Sequence, residues 1–134
     1  MILADTSFLI DLVDGDRGAI DRSKELEDEP LYLSSISVHE YLFGVYYRFS
    51  ENRSLLQRKL AMAENAFNAF KTLPMSKNIA RMSAMIQASL VREGRQVDIN
   101  DVYIGATAVY YGAYLLTRDK EHFARIKNLK VMTY

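Results

Sequence analysis

Four acidic residues stand where the sequence predicts that strands end or helices begin. Asp5 and Asp119 each follow a short apolar run that predicts a buried strand. Glu40 and Asp101 open predicted helices that come next to the sheet. Because the carboxyl ends of parallel strands and the starts of the following helices share one edge of a sheet, we expect the four carboxylates to meet there.

Each acid also has a purely structural interpretation when it is taken alone. Asp5 and Asp119 could cap the helices that follow them. Glu40 fits a capping box with Ser37, and Asp101 occupies a first helical turn, where the helix dipole favours a carboxylate. For any single acid, this interpretation is at least as good as a functional one.

The neighbours of two of these acids shift the balance toward function. The apolar residues that share a predicted helix face with Glu40 are Ile36, Phe43 and Tyr47. The small residues that share one with Asp101 are Gly105, Ala108 and Gly112. Small residues let a helix lie close against a sheet, so we expect both carboxylates to be half-buried and to point inward.

Electrostatic magnitudes decide what four converging acids need. A cap or dipole interaction is worth about 0.3–1 kcal/mol, whereas two carboxylates about 4 Å apart repel by roughly 4 kcal/mol at an effective dielectric of 20. Either some of the acids are protonated or a cation lies among them. The chain has no cysteine and only two histidines, so a set of oxygen ligands predicts Mg²⁺ or Mn²⁺. Such an ion suits in-line displacement at phosphorus, which makes phosphodiester hydrolysis the predicted chemistry.

The side chains near these acids receive predicted roles of their own. Asp5 and Asp101 would bind the metal directly, while Glu40 and Asp119 would hold it through water or complete a second site. Residues that could bind substrate are Thr6, Ser7, Thr117 and Arg118. The three hydroxyls could equally donate to a carboxylate or cap a helix or turn. Asp98 is a fifth acid nearby, which we interpret as a cap or a solvated residue.

Strands alternate with helices along the whole sequence. The predicted strands are Ile2–Ala4, Leu31–Leu33, Thr72–Met75, Tyr114–Leu116 and Lys130–Thr133. The predicted helices cover about 6–13, 17–26, a third that begins at a cap within 34–37 and ends at about 49, 51–70, 76–93, 101–111 (capped by Asn100) and 119–126. This alternation predicts a three-layer α/β/α fold in which a mostly parallel sheet of roughly five strands is covered on both faces.

The composition is that of an ordinary globular domain. The 134 residues are 49% hydrophobic and 25% charged, and they predict a single domain over residues 1–134. The net charge of zero argues against a strong, unspecific nucleic-acid binder. No apolar run is long enough to span a bilayer and no signal peptide is visible, so we expect no membrane association and a cytoplasmic location.

Four segments in order resemble the motifs of PIN-domain nucleases. They are Ala4–Asp11 (ADTSFLID), Ser35–Gly44 (SISVHEYLFG), Asp101–Ala108 (DVYIGATA) and Leu116–Phe123 (LTRDKEHF). The length of the chain further resembles the VapC-like toxins of toxin–antitoxin pairs. One departure is Gly105, which stands where an alanine is usual in the third motif.

The resemblance implies a Mg²⁺- or Mn²⁺-dependent endoribonuclease, usually dimeric and held inactive by a small antitoxin. It also implies a sheet in the order 3-2-1-4-5 and an antitoxin groove on the helices around Ile36–Phe49 and Glu51–Phe70. Two alternatives stay open: a housekeeping PIN nuclease in RNA maturation or decay, and a non-catalytic relative that binds RNA or protein. The presence of all four acids favours an enzyme.

Overall fold

Five short strands form one parallel sheet in the computed structural model, which describes residues 1–134. The strands are β1 (Ile2–Ala4), β2 (Leu31–Ser34), β3 (Lys71–Leu73), β4 (Tyr114–Leu116) and β5 (Lys130–Met132). Their order is β3-β2-β1-β4-β5, and every neighbouring pair is parallel. The predicted fold class and strand order are confirmed, and β1 lies at the centre of the sheet.

Seven helices connect and follow these strands. They are α1 (Thr6–Asp14), α2 (Arg17–Glu25), α3 (Ser35–Phe49), α4 (Arg53–Phe67), α5 (Lys77–Arg92), α6 (Ile99–Tyr111) and α7 (Lys120–Phe123). None of them is both long and apolar enough to cross a membrane.

The unalternating apolar run of β1 is explained by burial on both of its faces. Ile2 and Ala4 belong to a core cluster that includes residues of α1, α2 and α4. Leu3, which points the opposite way, belongs to a second cluster with residues of α5, α6 and α7. The sheet therefore lies between two helical layers, and the end of β1 opens at the centre of its carboxyl edge.

Local chemistry decides between the caps that the sequence offered for two helices. The α3 helix is capped by Ser34, one of the predicted candidates, whose Oγ accepts from the Ile36 amide, so Ser37 lies inside the helix and forms no capping box with Glu40. The predicted cap of α6 was wrong, because Asp98 caps this helix and Asn100 lies inside it.

Three other elements are shorter than predicted or shifted relative to the prediction. The third strand ends at Leu73, the residue before Pro74, because proline has no amide hydrogen for the ladder. The last helix ends at Phe123, and the buried Ile126 that follows it packs from a turn. The fourth helix begins only after Asn52, whose side chain accepts from the Leu55 amide.

Gly105 allows α6 to lie close to the turn that carries Ile126. A Cβ at this position would lie 2.5 Å from Ile126 Cδ1. We therefore expect Gly105→Val to lower the free energy of unfolding by about 1–3 kcal/mol through overpacking. Gly44 of α3 is the matched control, since no atom lies within 4 Å of its Cβ position. Gly44→Ala should be stabilising by about 0.5–1 kcal/mol.

Urea denaturation of both variants measures these opposite changes. An undiminished stability of Gly105→Val would contradict tight packing between α6 and Ile126.

Candidate active site

Asp5 lies at the carboxyl end of β1 and is almost completely buried, with 4% of its surface exposed. Its amide donates to the Leu116 carbonyl oxygen at 2.9 Å, which continues the pairing of β1 with β4. The residue is also the cap of α1, since its Oδ1 accepts from the Thr6 amide at 2.7 Å. The predicted position of Asp5, at a strand end where a helix begins, is confirmed.

Two hydroxyls converge on the second oxygen of Asp5. Ser7 Oγ donates to Asp5 Oδ2 at 2.9 Å, and Thr117 Oγ1 donates to the same oxygen at 2.8 Å. Thr117 is fully buried and also accepts from the Asp119 amide at 3.0 Å. Both hydroxyls therefore donate to the carboxylate of Asp5, which is one of the roles predicted for them from the sequence.

Thr6 connects Asp5 to Glu40. Its hydroxyl donates to Glu40 Oε1 at 2.7 Å and lies 2.9 Å from Ser37 Oγ. Ser37 is fully buried, one turn before Glu40 on α3. Because Glu40 lies well inside α3, its carboxylate reaches sideways to the start of α1 rather than back to a helix cap. Ser37 therefore belongs to this site, although the sequence indicated only a capping role for it.

Asp101 lies in the first turn of α6 with 20% of its side chain exposed. Burial is the largest cause that raises its pKa from 3.8 to about 6, together with the charges of Asp5, Asp98 and Glu40 and against the opposing effect of His122. His122 Nδ1 lies 3.6 Å from Asp101 Oδ2. The carboxylate of Asp101 is thus close enough to those of Asp5 and Glu40 to be repelled by both.

Burial raises the pKa of Asp5 as well. The hydrogen bonds from Thr117, Ser7 and Thr6 lower it, and the charge of Asp119 raises it. Asp119 is exposed, stands before α7 and makes no side-chain cap bond. Its carboxylate is therefore the solvent-facing member of the four acids that the sequence predicted to meet.

Arg118 is paired with Asp11, an acid of α1. Its Nη1 donates to Asp11 Oδ1 at 2.6 Å, and Tyr134 Oη donates to Asp11 Oδ2 at 2.7 Å. Asp11 is only 14% exposed. Asp11 follows Asp5 by six residues and lies about 120° around α1 from it, so helical spacing gave no signal for this pairing. Arg118 is half-exposed, so its guanidinium has one side free for another anion.

The chemistry of these side chains fits a hard divalent cation. The charges of neighbouring acids raise the pKa values of Asp5 and Asp101 at one sheet edge, and the nearby hydroxyls supply only oxygen. No three Asp, Glu or His side chains are arranged to enclose a metal ion. Mg²⁺ does not require such a cage, because it is held by one or two carboxylates and keeps several of its waters. The residues present therefore fit an ion of that kind.

The elevated pKa of Asp101 predicts how stability depends on pH without metal. The folded protein holds this proton up to about pH 6, and the unfolded chain up to about 3.8. The stabilising contribution of Asp101 is then complete below about pH 4 and is lost as the pH rises through about 6. Asp101→Asn should raise the free energy of unfolding at pH 7 by about 1–2 kcal/mol, after allowance for solvent screening.

Urea denaturation in EDTA between pH 4 and pH 8 measures this difference. The advantage of Asp101→Asn should shrink toward pH 4. A variant no more stable than the wild type at pH 7 would show that the site carries no such repulsion.

Thr117 should stabilise the fold through its hydroxyl. Thr117→Val removes a donor to Asp5 and the acceptor of the Asp119 amide. We expect a loss of about 1–3 kcal/mol in the free energy of unfolding at pH 7. Thr117→Ser keeps the hydroxyl and should lose only about 0.8 kcal/mol, the value of one buried methyl group. A loss in Thr117→Ser with an unchanged stability of Thr117→Val would assign the effect to the methyl group instead.

Comparisons with known proteins agree with this geometry. The PIN domain family matches residues 2–129. Ribonuclease VapC1 of Rickettsia felis is 30% identical over 132 residues, which are 98% of this chain and 95% of the relative.

Two solved structures have a similar fold. The structure of VapBC2 from Rickettsia felis, bound to a DNA fragment from its promoter, superposes with a TM-score of 0.87 at 19% identity and covers 100% of this chain and 99% of its own. A toxin–antitoxin complex from Klebsiella pneumoniae has a TM-score of 0.67 at 27% identity, with 99% and 97% covered. The chain belongs to the PIN-domain family and, within it, to the VapC ribonucleases.

Proposed function

We propose that this protein is a metal-dependent endoribonuclease that hydrolyses RNA phosphodiester bonds, and that it is the toxin of a toxin–antitoxin pair. The observation that carries the proposal is the convergence of Asp5 and Glu40 on Asp101 at one sheet edge, where a proton or a cation would relieve the repulsion on Asp101. The name of the Rickettsia felis relative, a ribonuclease, supports the same activity.

The side chains would divide the work of holding the ion. Asp5 and Asp101 would bind Mg²⁺ or Mn²⁺ directly, and Glu40 and Asp119 would hold it through water. When bound, the ion would supply charge stabilisation at the phosphate and a more acidic water. Asp5 is oriented for this role, because three hydrogen bonds fix its carboxylate while Oδ1, which accepts only one of them, keeps a lone pair free.

The hydroxyls around the site position the acids. Thr6 is bound to Glu40, while Ser7 and Thr117 are bound to Asp5, so these three residues would act on substrate through the carboxylates. Arg118 would approach an RNA phosphate from its exposed side while Asp11 keeps its guanidinium in place.

An antitoxin would occupy the cleft between α1, α3 and α4. This cavity of about 210 Å³ has an apolar lining on all three helices and Glu40 at its rim. A partner segment seated there would reach the acidic centre and block it. The Klebsiella pneumoniae relative, which was solved as a toxin–antitoxin complex, supports such a partner.

Three further expectations accompany this function. The 134 residues would form a single domain, and the protein would act as a homodimer. Its RNA substrate and antitoxin would place it in the cytoplasm.

A housekeeping role in RNA maturation or decay would use the same site, and the absence of an antitoxin gene beside this one would favour it.

RNA cleavage by the Asp5→Asn variant tests the activity. Purified wild-type protein should cleave mixed cellular RNA with Mn²⁺ or Mg²⁺ and not with EDTA. Asp5→Asn should lower the rate by more than about 100-fold, because it removes a direct metal ligand. The fold should survive, because asparagine also caps a helix well. An unfolded variant would make Asp5 chiefly a structural cap.

Asp98→Asn is the matched control. Asp98 is exposed and its Oδ1 accepts from the Asn100 amide, so asparagine keeps the cap while removing one negative charge. This variant should keep most of the activity.

Mg²⁺ should also raise the melting temperature of the wild type more than that of Asp101→Asn. Cleavage that persists in EDTA, or equal thermal shifts, would contradict a metal at this edge.

A further inference from the structure

Two aromatic rings on α3 stack on each other and are largely exposed to solvent. The centroids of Phe43 and Tyr47 lie 6.0 Å apart, and the ring planes differ by only 21°. Phe43 is 63% exposed and Tyr47 is 79% exposed. Apolar surface of this size is costly to leave in water, and the aromatic pair (Phe43 and Tyr47) contributes nothing to either core cluster.

The aromatic pair continues the line of the acidic centre along α3. Phe43 follows Glu40 by three residues and Tyr47 follows it by seven, so all three lie on one face of the helix. The rings therefore stand about 4.5 Å and about 10.5 Å from Glu40 along the helix axis. A polymer bound at the acids would pass over the two rings.

We propose that the aromatic pair is a stacking site for an unpaired base of the RNA substrate, next to the bond that is cut. This inference rests on the ribonuclease function proposed above and narrows its substrate to RNA with unstacked bases. Every base has a flat π-face, and aromatic side chains beside a backbone-binding site are the usual means of holding single strands. A base paired inside a helix has no free face for these rings.

The area of the aromatic pair is sufficient for a nucleobase. Two rings exposed to this degree can bury at most roughly 300 Å². A stable interface between two proteins buries about 800 Å² on each partner and would need further residues around the pair. One or two nucleobases need no larger surface than the rings provide.

The order of the strands indicates where the phosphates of the bound RNA would lie. In the order β3-β2-β1-β4-β5, α3 follows β2 on one side of β1, and α7 follows β4 on the other. A shallow depression around α7 is lined by three cations, Arg118, Lys120 and Arg125, together with His122 and the acids Asp119 and Glu121. Phosphates would thus lie near α7, the scissile bond near Asp5, and a base on the rings of α3.

The experiment uses a short single-stranded RNA that carries 2-aminopurine, whose fluorescence is quenched when the base stacks. Asp5→Asn protein is added with Mg²⁺, so that binding is measured while the RNA stays intact. We expect quenching on binding, and we expect Phe43→Leu with Tyr47→Leu to abolish the quenching and to weaken binding by about tenfold. In the wild-type background the same pair of changes should raise KM by about tenfold with kcat nearly unchanged.

Two control variants separate stacking from bulk and from folding. Tyr47→Phe keeps the ring and should keep both quenching and KM. Tyr46 is of the same residue type on the same helix, and it is 52% exposed, but it lies about 100° around the helix from Tyr47. Tyr46→Leu should therefore behave like the wild type. Hairpin RNA with the 2-aminopurine base-paired should show little quenching by any variant.

Each contrary outcome has a distinct meaning. Unchanged quenching and KM in the leucine variant would overturn the stacking site while leaving the nuclease intact. Loss of a dimer in sedimentation, with RNA affinity unchanged, would assign the rings to a second copy of the chain. Loss of antitoxin binding alone would assign them to that partner. A wild-type protein that binds and quenches the RNA without cleaving it would support the stacking site and contradict the nuclease.

Discussion

The buried negative charge of Asp5 is the constraint on which the rest of this structure depends. A carboxylate with 4% exposure at the end of the central strand is costly unless its oxygens are hydrogen-bonded. The donors come from the first turn of α1 and from the residue after β4. Satisfying this one group therefore fixes the start of a helix against the end of a neighbouring strand.

The hydrogen bonds leave a second problem, which is repulsion between acids. Burial and neighbouring charge raise the pKa values of Asp5 and Asp101 despite the donors around them. Packing of α3 and α6 at the same edge keeps the acids together against that repulsion. Repulsion between the acids therefore lowers the stability of the fold, and a divalent cation would relieve that repulsion. A preorganised site differs in this respect from a well-capped helix.

The sequence was sufficient for the five strands and for Asp5 at the end of β1, because buried strands and strand-end acids leave local signals, whereas the strand order came from the resemblance to PIN-domain nucleases. It was insufficient where the deciding contact is distant. Ser37 and Glu40 have the spacing of a capping box, yet Ser34 caps α3, and Glu40 is bound by Thr6 from another helix. Asp11 resembles any surface acid until Arg118 and Tyr134 are brought to it from the far end of the chain.

The bond from Thr117 to Asp5 joins residues 112 positions apart. Because chains are synthesised from the N-terminus, β1 leaves the ribosome long before β4 can dock beside it. Until then Asp5 lacks its hydrogen bond from Thr117. A nascent chain therefore cannot assemble the acidic edge until β4 and Thr117 have left the ribosome.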